Sequence, residues 1–445
     1  MIDIKDLRER PDVYKKNLEK KGKNLGVVES LLTVDEKWRN LKKQADDLRA
    51  ERNSVSEAIN QAKKHKDEQK AKQLILRAQE IPERLKKLEE LEAEASAEVS
   101  FFLKEIPNIM SKNVPPGKSD KDNVVEKVYG KPKKMNFPIK SHGEIAEELG
   151  LADFDSSRRV AGTGFYYLEG DLALLNQALL IYARDIMIKR GFRYVETPLM
   201  LKNEVVNRVT DLNDQKNMIY RVGNDEMSLI GTSEHSLIGR FIDQEIDVKK
   251  LPIKHTSYSM CFRKEIGGSG IDEKGIFRTH QFNKIEMIII CMPKDSEKHF
   301  EEMKKASIEI LKGLKIPFRI IKICSGDLGD MKYEQVDFEV YSPRRKTYIE
   351  SGSCSNLTTA QARKLGISTR INGERIVPHT LNNTAMATPR PLIAILENNQ
   401  QKDGSVKIPA VLWKYMNGKK VLASKKPAVT KETKKSKIKI LKKKK

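Results

Sequence analysis

Between residues 38 and 102, apolar side chains recur at the spacing of a two-helix seam, and one polar break divides the run. Trp38, Leu41, Ala45, Leu48, Val55, Ile59 and Ala62 step by three, four, three, seven, four and three residues. After a polar turn at Lys63–Gln69, Leu74, Ala78, Ile81, Leu85, Leu88, Ala95, Val99 and Phe102 continue in step, with Glu92 breaking one seam position. A repeat near 3.5 residues keeps one stripe facing a partner helix. The break in the middle predicts an antiparallel hairpin, in which each arm buries its stripe against the other. Pro82 predicts a local bend in the second arm. Arms of about 30 residues at 1.5 Å rise reach about 45 Å, which makes the hairpin a lever and not a core element. Its outer runs, KKHKDEQKAK and ERLKK, have two readings: a solvated coiled-coil exterior, or an arm lying along a nucleic-acid backbone.

Charge favours a nucleic-acid partner. The chain of 445 residues carries a net charge of +22. Gly418–Lys445 holds 13 Lys and one Glu, a net +12, which leaves +10 for the rest, so body and tail are both basic. No apolar run approaches the roughly 20 residues of a membrane span. The first residues, MIDIKDLRERP, are charged within four positions and lack an apolar stretch, so no secretory leader is expected. A cytoplasmic protein with no membrane contact follows. Cys261, Cys291, Cys324 and Cys354 lie about thirty residues apart without a CxxC pair, so reduced thiols are expected, with no zinc site or disulfide framework.

The expected organisation is an N-terminal helical domain over 1–105, with the hairpin at about 28–104. A Pro/Gly/Ser/Asp-rich linker over 106–130 follows, then a larger domain over 131–417 and a Lys-rich tail over 418–445 read as disordered. Residues 1–24 read as one or two short helices, with Pro11 in the first turn of the second. In the larger domain Asp171–Arg190 has helical periodicity. GFRYVETPLM reads as a strand ending near Pro198. MIYRV, MSLIGT, KHTSYSMCF, FNKIEMIIICM, FRIIKIC, VDFEVYS and KTYIESG are further strands. Few neighbours are joined by a long helix, so the fold class is α+β, an antiparallel sheet flanked by helices.

Chemistry concentrates in CFRKEIGGSGIDEKGIFRTHQFNKIEM, residues 261–287, read as two strands joined by a glycine-rich loop. From Phe277 a period of two puts Arg278, His280, Phe282, Lys284 and Glu286 on one face, and Arg263 and Glu265 share a face of the preceding strand. Such charges do not suit a packed core, because buried charges need partners. They suit a triphosphate, a base and an amine. GTSEHS places Thr232, Ser233 and Glu234 at a strand end. VDFEVY alternates Asp337 and Glu339. YIESGSCSN offers Glu350, Ser351, Ser353 and Ser355. These oxygens read either as a polar strand edge or as a Mg²⁺ site shared with phosphates. TLNNTAMATPRPLIAILENNQ reads as a polar turn entering a helix, with Arg390 in its first turn as a phosphate clamp.

In this order the segments resemble the seryl-tRNA synthetase family of class II aminoacyl-tRNA synthetases, over residues 1 to about 416. GFRYVETPLM, FRKE…GIFRTHQFNKIEM and ATPRPLIAILEN resemble the three class II motifs. The TSE triplet and LNxT…ATxR form resemble the archaeal and eukaryotic branch. Pro389 and Pro391 flank Arg390 where relatives carry Gly or Thr, SGSCS replaces VSSCS, and Lys264 replaces a bacterial Ser.

The resemblance implies ATP-dependent activation of L-serine to seryl-adenylate, with pyrophosphate released, and then transfer of serine to the 3′ end of tRNA(Ser). tRNA(Sec) is left open as a second acceptor. It implies a homodimer, Mg²⁺ as cofactor without zinc, and an arm that embraces the long variable arm of the tRNA. By position, Arg263 bridges the serine carboxylate and the α-phosphate. Glu265 orients ATP, Phe282 stacks on adenine beside Thr279, and Arg278 and Arg390 hold the outer phosphates. Lys264 belongs to the same ATP-binding set. Glu350 and Ser353 bind Mg²⁺, and Ser351 and Gly352 line the ATP site. Glu234, with Thr232 and Ser233, takes the amine, and Glu286 and Thr384 take the serine hydroxyl. A site built for a hydroxyl rejects alanine by factors of about 10⁴, because buried polar groups are left unpaired. Threonine has to be rejected by size. The Gly267–Gly275 loop is a contact for the acceptor end, and the Lys tail adds RNA affinity or serves as a localisation signal. A catalytically inactive RNA-binding paralogue is the alternative, disfavoured by the intact set Arg263, Glu286, Glu350 and Arg390.

Overall fold

The computed structural model describes residues 2–265 and 275–423. The expected tail over 424–445 and most of the glycine-rich loop lie outside the described residues. Two compact units divide between Met110 and Ser111. No described helix is long and apolar enough to cross a membrane.

The first unit contains helices α1 (Ile4–Glu9), α2 (Pro11–Lys20), α3 (Gly26–Lys64) and α4 (Glu68–Glu105). Pro11 opens α2, where its missing N–H costs nothing. Asp67 caps α4 by accepting from the Lys70 N–H at 3.0 Å, which fixes the tip of the hairpin. The seam buries Ala45, Leu48, Val55 and Ala62 on one arm and Ile81, Leu85, Ala95 and Val99 on the other. Ion pairs Arg49–Glu89 at 2.8 Å and Arg77–Glu51 at 2.6 Å tie the antiparallel arms together across it. Near the base Leu103 is buried and Phe102 only partly so, the drift expected when a 3.6-residue helix meets a 3.5 pattern. Pro82 sits inside an unbroken helix.

The second unit is built on a sheet of strands β1 (Val124–Tyr129), β2 (Arg193–Tyr194), β3 (Ile253–Phe262), β4 (Gln281–Cys291), β5 (Phe318–Lys322), β6 (Glu334–Ser342), β7 (Thr347–Thr358) and β8 (His379–Ala387). Their order is β1-β5-β6-β7-β8-β4-β3-β2, antiparallel throughout except for the parallel β2–β3 pair. The α+β class with an antiparallel sheet is thus observed.

Several expected elements differ. Residues 124–129, expected as linker, pair along β5 at the sheet edge. GFRYVETPLM contributes only Arg193–Tyr194 to the main sheet, followed by one further bond from the Val195 N–H to the Thr256 carbonyl at 2.9 Å. Met200–Lys202 then pairs with Met227–Leu229 in a separate ribbon. MIYRV supplies one isolated bridge, Arg221 to Ser228. The largest difference is β8. Thr380–Thr384, expected as a polar turn, lies buried in the middle of the sheet between β7 and β4.

Helices α5 (His142–Glu148), α6 (Gly170–Lys189), α8 (Ser296–Leu314) and α9 (Pro389–Asn399) belong to the main core, and α7 (Ser233–Gly239) to a smaller one. On β4, Ile285, Met287 and Ile289 join Leu175, Leu179, Met303 and Ile310 in the main core. Ile288 and Ile290 face the other way and join Leu237, Ile238, Ala362 and Leu365. Strand alternation therefore puts Phe282, Lys284 and Glu286 on that second face, away from the large helices.

Candidate active site

The β3–β4 pairing sets Phe282 opposite Cys261, Lys284 opposite Ser259 and Glu286 opposite Ser257. Those three alternate as the period of two requires. The alternation does not extend as far as expected. β3 ends at Phe262 and β4 begins at Gln281, so Arg263, Lys264, Glu265, Arg278 and Thr279 stand outside the strands. The cause is local: Glu265 has φ +50°, which turns the chain out of the extended conformation. Arg263 stays close to the sheet, its N–H donating to the His280 carbonyl at 2.9 Å. Its Nε donates to the Gly231 carbonyl at 3.1 Å, and its guanidinium lies 5.2 Å from the Phe282 ring centroid. Glu265 and Arg278 approach to 3.9 Å.

His280 does not join this face. Its Nδ1 lies 3.0 Å from both the Tyr220 hydroxyl and the Arg263 carbonyl, and its ring stacks on Phe165, so it anchors the turn. The Lys264 ammonium lies over the Tyr220 ring instead of lining the cleft.

Glu286 is 1% exposed and holds the centre of a polar cluster. Its Oε2 is 2.5 Å from Lys284 Nζ and 3.4 Å from Thr384 Oγ1, and Lys284 Nζ donates to Thr232 Oγ1 at 3.1 Å. Burial pushes the Glu286 carboxyl up, and Lys284 opposes that rise. Thr232–Glu234, expected at a strand end, instead begin α7. Thr232 is its N-cap and accepts from the Glu234 N–H at 3.3 Å. The Glu234 carboxylate is oriented by two neutral donors on one oxygen, Gln361 Nε2 at 2.8 Å and Asn382 Nδ2 at 2.7 Å. Ser233 is fully buried, with its hydroxyl donating to the Ser257 carbonyl at 3.4 Å, and does not line the cleft.

On β7, a bulge at Ser351 opposite Phe338–Glu339 interrupts the ladder. Beside it Arg390, second residue of α9, donates to the Glu350 carbonyl at 2.9 Å and to Glu350 Oε2 at 3.3 Å. Gly352 permits the closest approach of β8, since a Cβ there would lie 2.9 Å from Thr384 Cβ. Asp337 stands opposite Ser353 on β6, and Glu339 pairs with Arg319.

Two adjoining clefts result. One, of about 130 Å³, is lined by Glu265, Phe277, Arg278, Thr279, Phe282 and Arg390, with Ser351 and Gly352 at its floor. The other, of about 920 Å³, holds Thr232, Glu234 and Glu286. They share Arg263, Lys284, Glu350 and Ser353. Lys284, Gln361, Asn382 and Phe277 received no role from sequence reasoning. Lys284 had a signal, its even position on β4. Asn382 had none, because its segment reads as a turn.

Among the described residues, no group of three or more His, Cys, Asp or Glu side chains could hold a metal ion. Glu350 and Ser353 offer one carboxylate and one hydroxyl beside the cleft, a donor set that fits Mg²⁺ completed by phosphate oxygens and water.

The antiparallel sheet flanked by helices agrees with the comparisons. Residues 218–399 match the class II tRNA synthetase core domain of the G, H, P, S and T enzymes, and the chain is a class II aminoacyl-tRNA synthetase. Residues 1–110 match the seryl-tRNA synthetase N-terminal domain. The serine–tRNA ligase of Methanocella arvoryzae is 43% identical over 424 residues, 94% of this chain and 99% of the relative. The crystal structure of seryl-tRNA synthetase from Pyrococcus horikoshii complexed with ATP superposes with a TM-score of 0.88 at 36% identity, covering 95% of this chain and 100% of that one. Cytoplasmic serine–tRNA ligase from Naegleria fowleri in complex with AMP gives a TM-score of 0.82 at 31% identity, covering 93% and 96%. The chain belongs to the seryl-tRNA synthetase family, the serine–tRNA ligases.

Proposed function

We propose that the two clefts divide the substrates: ATP lies against Phe282 and the arginines, and L-serine lies against Glu286. The observation that carries this reading is the pocket around Glu286. Thr384, Lys284, Thr232 and Glu234 stand around Glu286 and offer hydroxyl, ammonium and carboxylate groups that a ligand with its own hydroxyl and amine can satisfy. Arg263 reaches both clefts, so it suits a bridge between the serine carboxylate and the α-phosphate, and its planar fork can serve both.

Glu286 and Thr384 hold the serine hydroxyl and Glu234 the amine. Thr232 fixes Lys284 beside them. Ser233 acts through its place in α7. Phe282 stacks on adenine, with Thr279 and Glu265 orienting the nucleoside, and Arg278 and Arg390 hold the outer phosphates. Glu350 and Ser353 would hold Mg²⁺, which neutralises phosphate charge when bound. Neither step needs a protein nucleophile. Carboxylate attack on phosphorus, and ribose hydroxyl attack on the acyl carbon, proceed by positioning and charge stabilisation.

The partners under this reading are tRNA(Ser), bound by the hairpin, whose tip from Lys63 to Lys72 carries five Lys against Asp67 and Glu68, and a second copy of the chain in a homodimer; tRNA(Sec) is left open as a second acceptor. Half-exposed Leu174 and Ile188 on α6, with Met200 nearby in sequence, support a dimer surface. The cytoplasm is the expected compartment, and translation the process served. The test is ATP–pyrophosphate exchange with serine, threonine, alanine and glycine. Serine-dependent exchange is expected, and its absence would overturn the assignment.

A further inference from the structure

We infer that His142, outside both clefts, is a positioning residue that locks the foot of the β3–β4 loop to the helix carrying Arg390. The inference rests on the ATP reading above.

His142 is the first residue of α5 and is 4% exposed. Its Nε2 accepts the Ile276 backbone N–H at 3.1 Å. Because Nε2 is an acceptor, the ring proton sits on Nδ1, which faces Glu397 Oε1 at 3.3 Å. The two ring nitrogens thus perform different tasks on different elements. Ile276 is itself 2% exposed, and the next residues, Phe277 and Arg278, line the smaller cleft. Close approach is built into the sequence. Gly275 has φ +150°, and a Cβ there would stand 2.4 Å from His142 Nε2, so only glycine lets the chain pass the ring.

Glu397 is the other half of the device. It lies on α9, seven residues beyond Arg390, and is 2% exposed. One oxygen takes the His142 backbone N–H at 3.3 Å as well as Nδ1. The other takes the Ser342 hydroxyl at 2.5 Å and the Arg344 backbone N–H at 3.4 Å. A single buried carboxylate therefore gathers α5, the end of β6 and the turn after it onto the arginine helix. The next residue of that turn, Arg345, lies with its guanidinium 3.9 Å from the Phe277 ring centroid, and Arg390 lies 5.4 Å from the same ring. Arg390 and the Phe277–Arg278 foot meet through His142 and Glu397 as well as directly. Neither His142 nor Glu397 lines either cleft.

The two bonds can be separated. His142→Asn keeps a donor near Nδ1 and loses the acceptor for Ile276. His142→Gln places an acceptor near Nε2 and loses the donor to Glu397. Steady-state exchange should show the Asn variant raising the KM for ATP about tenfold, the loss of one buried hydrogen bond, with the KM for serine within twofold of wild type. The Gln variant should stay within about threefold of wild type for both. An Asn variant whose ATP and serine constants move together, or do not move while thermal stability falls, would reduce His142 to a packing residue. If the Asn variant does not fold, a Gln variant with ATP KM raised tenfold or more overturns the inference, and one near wild type supports it. Failure of the ATP reading itself looks different: wild-type protein would show no serine-dependent exchange.

Discussion

Lys284 and Glu286, two residues apart on one face of β4, form a buried ion pair at 2.5 Å, with exposures of 7% and 1%. Burial raises the Glu286 carboxyl, and the neighbouring ammonium is the chief influence that opposes the rise. Removing it in Lys284→Met leaves a carboxylate with no cation in direct contact. Loss of one partner of a buried pair costs about 3 kcal/mol, and a carboxylate held less firmly in its ionised form should lower serine kcat/KM about 100-fold. Thermal melts and pyrophosphate exchange measure the two effects. Near-wild-type serine kinetics would show that Lys284 plays no part in the pocket.

Glu234 has one oxygen saturated by Asn382 and Gln361, which turns the other toward the cleft. Asn382→Ala removes one neutral donor without changing the charge. A net hydrogen bond of about 1.4 kcal/mol corresponds to a tenfold higher KM for serine. The KM for ATP should not move. Equal shifts in both constants would mean that Asn382 supports the sheet and not the carboxylate.

The contrast between β4 and β8 shows what the sequence could reveal. β4 was legible because Phe282, Lys284 and Glu286 recur at every second residue and an apolar run follows from Met287 to Ile290. β8 was not, because Leu-Asn-Asn-Thr has turn composition and asparagine is depleted in strands. Its side-chain amide donors find partners individually: Asn383 donates to the Met303 carbonyl and Ser307 Oγ, both at 2.8 Å, and Asn382 to Glu234, while Thr380 Oγ1 and Asn383 Oδ1 are buried without one among the described residues. Those partners lie tens of residues away, so local pattern carries no trace of them. The arm was legible for the opposite reason, since its seam is repeated locally along both helices. The strand limits around Arg263 and Arg278 were not, because a positive φ at a glutamate such as Glu265 has no mark in residue type.

Arg390 contacts Glu350 through both backbone and side-chain oxygens, and its guanidinium lies over Phe277. A lysine has the charge but neither the planar fork nor the stacking surface. Arg390→Lys should therefore lose about 100-fold in kcat/KM for ATP, close to the loss in Arg390→Ala. Exchange kinetics at varied ATP decide it. A lysine variant retaining most of the activity would reduce the role of Arg390 to simple charge.

Gly352 faces β8 so closely that an added Cβ would lie 2.9 Å from Thr384 Cβ and 3.1 Å from its Cγ2. Gly352→Ala should displace Thr384 from Glu286, raising the KM for serine severalfold at a stability cost of about 1–3 kcal/mol. Unchanged serine binding would show that β8 gives way without moving the hydroxyl.

Asp337, 9% exposed on β6, makes the sharpest pH prediction. Burial first, and the Glu350 carboxylate second, push its carboxyl from the ordinary 3.8 up to about 8. The sign follows from proton linkage. Between these limits the folded protein keeps a proton that the unfolded chain has released. The contribution of Asp337 to stability is therefore fully present below pH 4, falls as pH rises by up to about 1.4 kcal/mol per unit, and is lost above pH 8. Asp337→Asn carries no titrating proton yet still accepts from Gln335, which donates to Oδ1 in the native protein. Its stability relative to wild type should rise steadily between pH 5 and 8. Glu350→Gln should flatten the same dependence in the native background, since it removes the second cause. Urea denaturation of wild type and both variants at pH 5, 6.5 and 8 measures the difference. A gap between Asp337→Asn and wild type that stays constant across those three values would mean the carboxylate is ionised throughout, and that a second full negative charge stands beside Glu350.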